Sequence, residues 1–140
     1  MRGVFLDNAT VDRHDRDLGA LKSSLPDWSI RSATPASEVR EAIQNAAIVI
    51  SNKVPLNRET IQQADSLKLI CVAATGTNNV DLAAAAEQNI TVCNARGYAT
   101  TSVVEHVFTL ILALTRHLHE YQAAVNKGKW QTAESFCLLD

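Results

Sequence analysis

The sequence has only three cysteines among its 140 residues, and none of them is arranged as a metal ligand. Cys71, Cys93 and Cys137 are widely spaced, and no C-x-x-C motif or Cys/His ligand pair occurs. Zinc sites and disulfide frameworks need such pairs, so the sequence predicts neither and indicates no other metal site. Free thiols are typical of a reducing compartment, and we expect a cytoplasmic protein.

Long apolar runs and clusters of basic residues are also absent. The longest nearly continuous apolar run, residues 103–114, is interrupted by Glu105, His106 and Thr109 and is shorter than the ~20 residues that cross a bilayer. No apolar segment follows a basic start, so no secretory signal is predicted. The net charge is −2 and no Lys/Arg stripe appears. We therefore expect neither a membrane nor a nucleic acid as partner.

Glycine is too sparse for a nucleotide-binding fingerprint. The five glycines form neither G-x-G-x-x-G nor a Walker loop. No Ser/His/Asp or Cys/His constellation for nucleophilic catalysis occurs either. The sequence thus carries no dinucleotide fingerprint of its own and no recognisable catalytic constellation.

Short apolar runs alternate with helical stretches over the first hundred residues. Strands are predicted at residues 3–6, 28–31, 47–51, 67–73 and 90–93, and helices at 15–24, from Pro35 onward, at 57–63 and at 80–88. Asn57 is predicted to cap the helix at 57–63. This alternation favours an α/β fold with helices on both faces of a parallel sheet. We predict a flavodoxin-like, doubly wound, five-stranded sheet of order 2-1-3-4-5, with ligands beyond the carboxyl ends of the strands.

A long helix is predicted to start near Ser102, where Ser102 and Glu105 have the spacing of a capping box. Apolar side chains cover nearly its whole circumference, which is typical of a helix buried on most sides. We expect it to belong to an absent or partner lobe.

The first candidate loop, residues 51–55, follows a buried strand. Lys53 and the backbone N–H groups of this turn could hold a small carboxylate, with the Asn52 amide beside them. The alternative is a solvated loop with one exposed lysine, because buried strands often end in polar turns.

Two further loops carry small or hydroxyl-bearing residues. In residues 73–81, Gly76 and its neighbours could form an anion nest before a helix, or simply a turn; Asp81 is interpreted as a structural residue in the first helical turn. In residues 94–102, Thr100 and Thr101 could present hydroxyls to a ligand, whereas the alternative role there is helix capping.

Three motifs in order resemble the D-isomer-specific 2-hydroxyacid dehydrogenases. They are TGTNNVD at Thr75–Asp81, ITVCN at Ile90–Asn94 and SVVEH at Ser102–His106. The resemblance covers roughly residues 45–130, and Gly128-Lys129-Trp130 is similar to the family's G-x-W segment. The stretch from Trp130 to Asp140 is similar to the glycerate dehydrogenase, or hydroxypyruvate reductase, subgroup.

The resemblance implies an NAD- or NADP-dependent, homodimeric, two-lobed enzyme that interconverts a small 2-oxo acid and its D-2-hydroxy acid. Hydroxypyruvate or glyoxylate, and D-glycerate or glycolate, are the expected pairs. The substrate carboxylate would meet the backbone N–H groups of Thr75 and Gly76, in a pocket that Asn52, Lys53 and Val54 also line. Thr100 and Thr101 would lie near the nicotinamide. Residues 1–100 would be the substrate-binding domain, and residues 101–140 a linker helix and the incomplete start of the dinucleotide-binding and dimerisation region. The family's catalytic arginine, glutamate and histidine come later in such proteins and none maps onto this chain, so we expect the 140 residues alone to be inactive.

A different class of function stays open on the residues alone. The chain could be a stand-alone flavodoxin-like module that binds a ligand or partner without catalysis. Residues 136–140 end in an apolar stretch without a closing cap, which favours a truncated enzyme. A response-regulator receiver is disfavoured, because Asp7 is present but Asn94-Ala95-Arg96 is not its lysine loop.

Overall fold

The structure is a computed structural model that describes residues 1–135. Cys137 and the apolar chain end discussed above lie outside the described residues. The chain forms two compact units, one spanning Met1–Arg96 and the other starting at Gly97. The assignment of these parts to a substrate-binding and a dinucleotide-binding domain stays a prediction.

The first unit is built on a five-stranded sheet. Its strands are β1 (Arg2–Phe5), β2 (Asp27–Ile30), β3 (Ile48–Ser51), β4 (Leu69–Val72) and β5 (Thr91–Asn94). All neighbours pair in parallel in the order β2-β1-β3-β4-β5, which confirms the predicted topology. The observed ends differ from the predicted ones by at most two residues, as expected where strands merge into loops.

Four helices connect the strands: α1 (Gly19–Ser24), α2 (Ala36–Ile43), α3 (Arg58–Gln62) and α4 (Leu82–Glu87). The prediction that α1 begins at residue 15 is wrong. Asp12 Oδ1 accepts the backbone N–H groups of Asp15 and Arg16, both at 3.2 Å, and Asp17 Oδ1 accepts that of Gly19 at 2.7 Å. These side chains offer the backbone donors an alternative to helical hydrogen bonds, so the helix starts only after them.

Side-chain caps define the starts of α3 and α4. Asn57 Oδ1 accepts the Thr60 N–H at 2.9 Å, which confirms the predicted cap of α3. Asp81 is the N-cap of α4 rather than a residue of its first turn, and its carboxylate accepts the Ala84 N–H at 2.8 Å. Asp81 therefore has the structural role expected of it, but as the N-cap of α4.

The hydrophobic core lies on one face of the sheet. Val4, Val49 and Ile70 occupy one register row of the three central strands, and each is fully buried. Helices α2, α3 and α4 contribute further buried side chains to the same cluster, which are Val39, Ala42, Ile43, Ile61, Ala84 and Ala85. On neighbouring β4 and β5, the free thiols of Cys71 and Cys93 lie opposite each other in register.

The second unit contains α5 (Thr100–Thr115) and α6 (Leu118–Asn126). The predicted capping box is wrong, because α5 starts two residues before Ser102 and its N-cap, Ala99, makes no side-chain cap. Gly97, at φ +74°, forms a turn whose carbonyl accepts the Thr100 N–H at 3.5 Å. Ser102 therefore lies inside the helix, where the backbone is not extended as a cap requires.

No residue of α5 is buried in the described chain. Its exposed large apolar side chains are Val103, Val104, Val107, Phe108, Leu110, Ile111, Leu112 and Leu114. That a further lobe or subunit covers them stays a prediction. Within residues 1–135, no helix combines the length and the apolar character needed to traverse a bilayer.

Candidate functional site

The loops that follow β3 and β4 are joined by main-chain hydrogen bonds at the carboxyl edge of the sheet. Leu56 N–H donates to Asn79 O at 2.7 Å, and Asp81 N–H donates to Leu56 O at 3.0 Å. Leu56 also forms an isolated parallel bridge with Val80. The loop after β3 (residues 52–57, the β3 loop) and the loop after β4 (residues 73–80, the β4 loop) therefore form one substructure.

The start of the segment after β5 is attached to the β4 loop. The Asn94 side-chain amide donates to Thr75 O at 2.7 Å, the Thr75 hydroxyl donates to Ala95 O at 3.1 Å, and Ala95 N–H donates to Ala74 O at 3.1 Å. Thr75 thus uses its hydroxyl and carbonyl to fix the loop, which leaves its backbone N–H as the group that could meet a ligand.

A cavity of about 140 Å³ lies between the β3 and β4 loops. It is lined by Asn52, Lys53, Ala74, Gly76, Asn78 and Asn79. The structure therefore places three of the residues predicted from sequence, Asn52, Lys53 and Gly76, around one cavity. Their role in binding stays a prediction. Sequence reasoning did not single out Asn78 and Asn79 as pocket residues, although both fall within the loop it proposed.

The donors at this cavity suit a small anion. Lys53 is exposed and pairs with no carboxylate among residues 1–135. In the same described range, the backbone N–H groups of Thr75 and Gly76 donate to no acceptor. A carboxylate in a cavity that both Lys53 and Gly76 line can accept charge-assisted hydrogen bonds from the ammonium and from an unpaired N–H group.

The backbone N–H groups of the β3 loop have a different partner. Those of Asn52, Lys53 and Val54 donate to the Asp7 carboxylate at 2.9, 2.6 and 3.3 Å. The expectation that they would hold a substrate carboxylate is therefore wrong, because a carboxylate of the chain itself already occupies that nest. Asp7 was missed as a site residue, although its position two residues after β1, at the same sheet edge, was a usable signal.

Asn52 and Val54 also make contacts outside the β3 loop. The Asn52 side-chain amide donates to the Thr10 hydroxyl at 2.9 Å. Val54 packs against the core and lines a separate hollow of about 290 Å³ that also contains Asp7. Neither hollow is lined by all five predicted substrate-binding residues. Val54 and Thr75 do not line the 140 Å³ cavity, and Asn52, Thr75 and Gly76 do not line the 290 Å³ hollow.

Thr100 and Thr101 are the first two residues of α5 and belong to the second unit. Both are exposed, and their hydroxyls donate to no acceptor among the described residues. Residues 1–135 hold no group of three metal-ligating side chains. The sequence contains no glycine fingerprint for a dinucleotide, and these two hydroxyls are the groups predicted to lie beside a nicotinamide.

Comparison with known proteins identifies relatives over almost the whole chain. The sequence profile of the D-isomer specific 2-hydroxyacid dehydrogenase catalytic domain matches residues 5–137. Glycerate dehydrogenase of Methylorubrum extorquens is 42% identical over 140 residues, which are 98% of this chain and 43% of that protein. Hydroxypyruvate reductase of Blautia hydrogenotrophica is 33% identical over 143 residues, covering 100% of this chain and 44% of that protein.

A solved structure shows the same fold. An NAD-dependent formate dehydrogenase from Staphylococcus aureus, in complex with NAD, superposes with a TM-score of 0.72 at 30% identity, covering 93% of this chain and 43% of that one. The chain spans less than half the length of each of these three proteins. The five-stranded topology, the three motifs and the profile match agree, and the chain belongs to the family of D-isomer specific 2-hydroxyacid dehydrogenases.

Proposed function

We propose that these residues are the N-terminal, substrate-binding part of a longer NAD- or NADP-dependent dehydrogenase. The enzyme interconverts a small 2-oxo acid and its D-2-hydroxy acid, with hydroxypyruvate or glyoxylate and D-glycerate or glycolate as the pairs. Support for the subgroup comes from relatives named glycerate dehydrogenase and hydroxypyruvate reductase, each matched along at least 98% of this chain.

The observation that carries the proposal is the cavity between Lys53 and Gly76. Its volume of about 140 Å³ suits only a small molecule or part of one. The substrate carboxylate would accept hydrogen bonds from the unpaired N–H groups of Thr75 and Gly76 and lie beside the Lys53 ammonium. Asn52 lines the same cavity, and Val54 lines the second hollow that Lys53 also borders. Orienting the acid in this way contributes to rate, because a fixed geometry lowers the entropic part of the barrier.

The dinucleotide is proposed to bind mainly outside these residues. It would supply the hydride, and Thr100 and Thr101 would contact its nicotinamide end. The catalytic arginine, glutamate and histidine are likewise expected outside the chain, so the 140 residues alone should show no turnover. The exposed apolar surface of α5 is proposed to be covered by the remainder of the enzyme and by a second subunit in a homodimer.

The experiment compares the complete gene product with two lysine variants. The wild type is expected to reduce hydroxypyruvate or glyoxylate with NADH or NADPH, and the 140-residue chain is not. Lys53→Met is expected to raise KM for the acid at least about tenfold, because a charge-assisted interaction is lost.

Lys68→Met is the matched control. Lys68 is also exposed and unpaired within residues 1–135, but it immediately precedes β4, at the opposite end of the strands. Its replacement should leave KM unchanged. Absence of 2-oxo acid reduction by the complete product would refute the proposed activity, and equal KM values for the two variants would refute the proposed site.

A further inference from the structure

Asp7 is a buried carboxylate whose partners are backbone groups rather than a cation. Only 2% of its surface is exposed, and it forms no ion pair with a residue of the described chain. A buried charge without compensation is costly, so its hydrogen bonds matter. Three consecutive N–H groups of the β3 loop provide them, from residues 45 to 47 positions later in the sequence.

This arrangement fixes the direction in which Lys53 leaves the backbone. The Lys53 N–H makes the shortest of the three bonds, 2.6 Å to Asp7 Oδ2, and its two neighbours bond to the same carboxylate. With three successive peptide units oriented towards one group, the turn keeps a single backbone conformation. The Lys53 side chain then starts from a fixed position at the wall of the 140 Å³ cavity.

Thr10 adds two hydrogen bonds to the contact between Asp7 and the β3 loop. Its hydroxyl donates to the Asp7 backbone carbonyl at 2.7 Å and accepts the Asn52 side-chain amide at 2.9 Å. Two side chains of the segment after β1 thus hold the β3 loop: Asp7 accepts its main-chain N–H groups, and Thr10 accepts the Asn52 amide.

We infer that Asp7 is a positioning residue, which holds the Asn52–Val54 turn so that Lys53 faces the carboxylate cavity while the turn's own N–H groups are withheld from the substrate. The inference rests on the proposed function, since it concerns the same cavity. The Asp7 carboxylate occupies the N–H groups of the β3 loop, so the substrate carboxylate is expected to bind the N–H groups of the β4 loop.

The test uses Asp7→Asn in the complete gene product. The amide keeps the size of the side chain but replaces one acceptor oxygen by an NH₂ group that opposes the N–H donors. We expect KM for the 2-oxo acid to rise at least about tenfold, with kcat changed much less, because the loss falls on substrate binding. The amide hydrogens of Asn52, Lys53 and Val54 should also exchange faster.

Asp12→Asn is the matched control, because Asp12 is likewise buried in the segment after β1 but its carboxylate bonds only to groups of that same segment. This control should leave KM and the three exchange rates unchanged. If Asp7→Asn fails to fold, Thr10→Val takes its place and should raise KM in the same direction by a smaller factor.

Each outcome is decisive. If the wild type is active and the Asp7→Asn or Thr10→Val variant has the same KM, the inference is overturned and the proposed function stands. Equal increases of KM in Asp7→Asn and Asp12→Asn would have the same meaning. A wild type that neither binds nor reduces any 2-oxo acid would overturn both, and the exchange rates would still show whether Asp7 holds the loop.

Discussion

The indole ring of Trp28 on β2 lies directly against the backbone of Gly3 on β1. The two residues are register partners, and a methyl carbon added at Gly3 would come within 2.5–2.7 Å of three ring carbons of Trp28. The ring is also held by a hydrogen bond from its Nε1 to the Ser24 hydroxyl at the end of α1, at 3.2 Å. Glycine at position 3 is thus required by this close approach.

Replacing Gly3 by alanine is expected to lower the free energy of unfolding by about 1–3 kcal/mol, the usual cost of overpacking. Urea unfolding followed by fluorescence or circular dichroism would measure it. In a Trp28→Leu background the same replacement should cost much less, because the ring it meets is gone. An equal cost in both backgrounds would show that the clash with Trp28 is not the cause.

Two caps predicted from sequence should behave differently when removed. Asn57→Ala is expected to cost about 1 kcal/mol, since the Thr60 N–H loses its acceptor. Ser102→Ala should change stability by less than about 0.5 kcal/mol, because Ser102 is inside α5 and caps nothing. Denaturant unfolding of both variants measures the loss of unfolding free energy. A loss for Ser102→Ala as large as that for Asn57→Ala would show that Ser102 does cap α5.

An ion pair between α3 and α4 should make stability depend on pH. Both carboxylate oxygens of Glu87 accept hydrogen bonds from Arg58, which lower the pKa of Glu87 below its usual 4.5; its partial burial opposes this and the charge of Arg58 adds to it. A depressed folded-state pKa contributes stability above the unfolded value, and this contribution is lost as pH falls through the folded value.

Glu87→Gln is therefore expected to be slightly less stable than wild type near neutral pH, since the pair is exposed to solvent, and equally stable well below the folded-state pKa. Thermal unfolding across this pH range measures the difference. Glu41→Gln, at an exposed glutamate without an ion-pair partner in residues 1–135, should show no such trend. A difference that persists at low pH would exclude the ion pair as its origin.

The apolar surface of α5 should cause the 140-residue chain to self-associate. Phe108 and Leu112 are one helical turn apart and each is 59% exposed. Sedimentation at increasing concentration is expected to show association, and the double variant Phe108→Glu, Leu112→Glu should be monomeric. Gln62→Glu, which adds a charge on α3, should associate like the wild type. A wild type that stays monomeric at high concentration would contradict this expectation.

Periodicity predicted the sheet better than it predicted the site. The short apolar runs and their alternation with helices predicted a parallel sheet, and the strand order chosen for it is confirmed. The start of α1 was misplaced because Asp12 and Asp17 capture nearby backbone N–H groups, a competition that helical patterns do not register. The binding partners of Asp7 lie 45 to 47 residues away, and no local pattern reports a contact of that range.

The bridge between Leu56 and Val80 has a consequence for how this family member could diverge. Main-chain bonds set the separation of the two turns that it connects, so the mouth between them would resist widening to admit an acid bulkier than the proposed substrate. Under the proposed function, a shift in substrate preference would then have to arise from exchanged side chains at the rim, such as the exposed Asn78, rather than from loop motion.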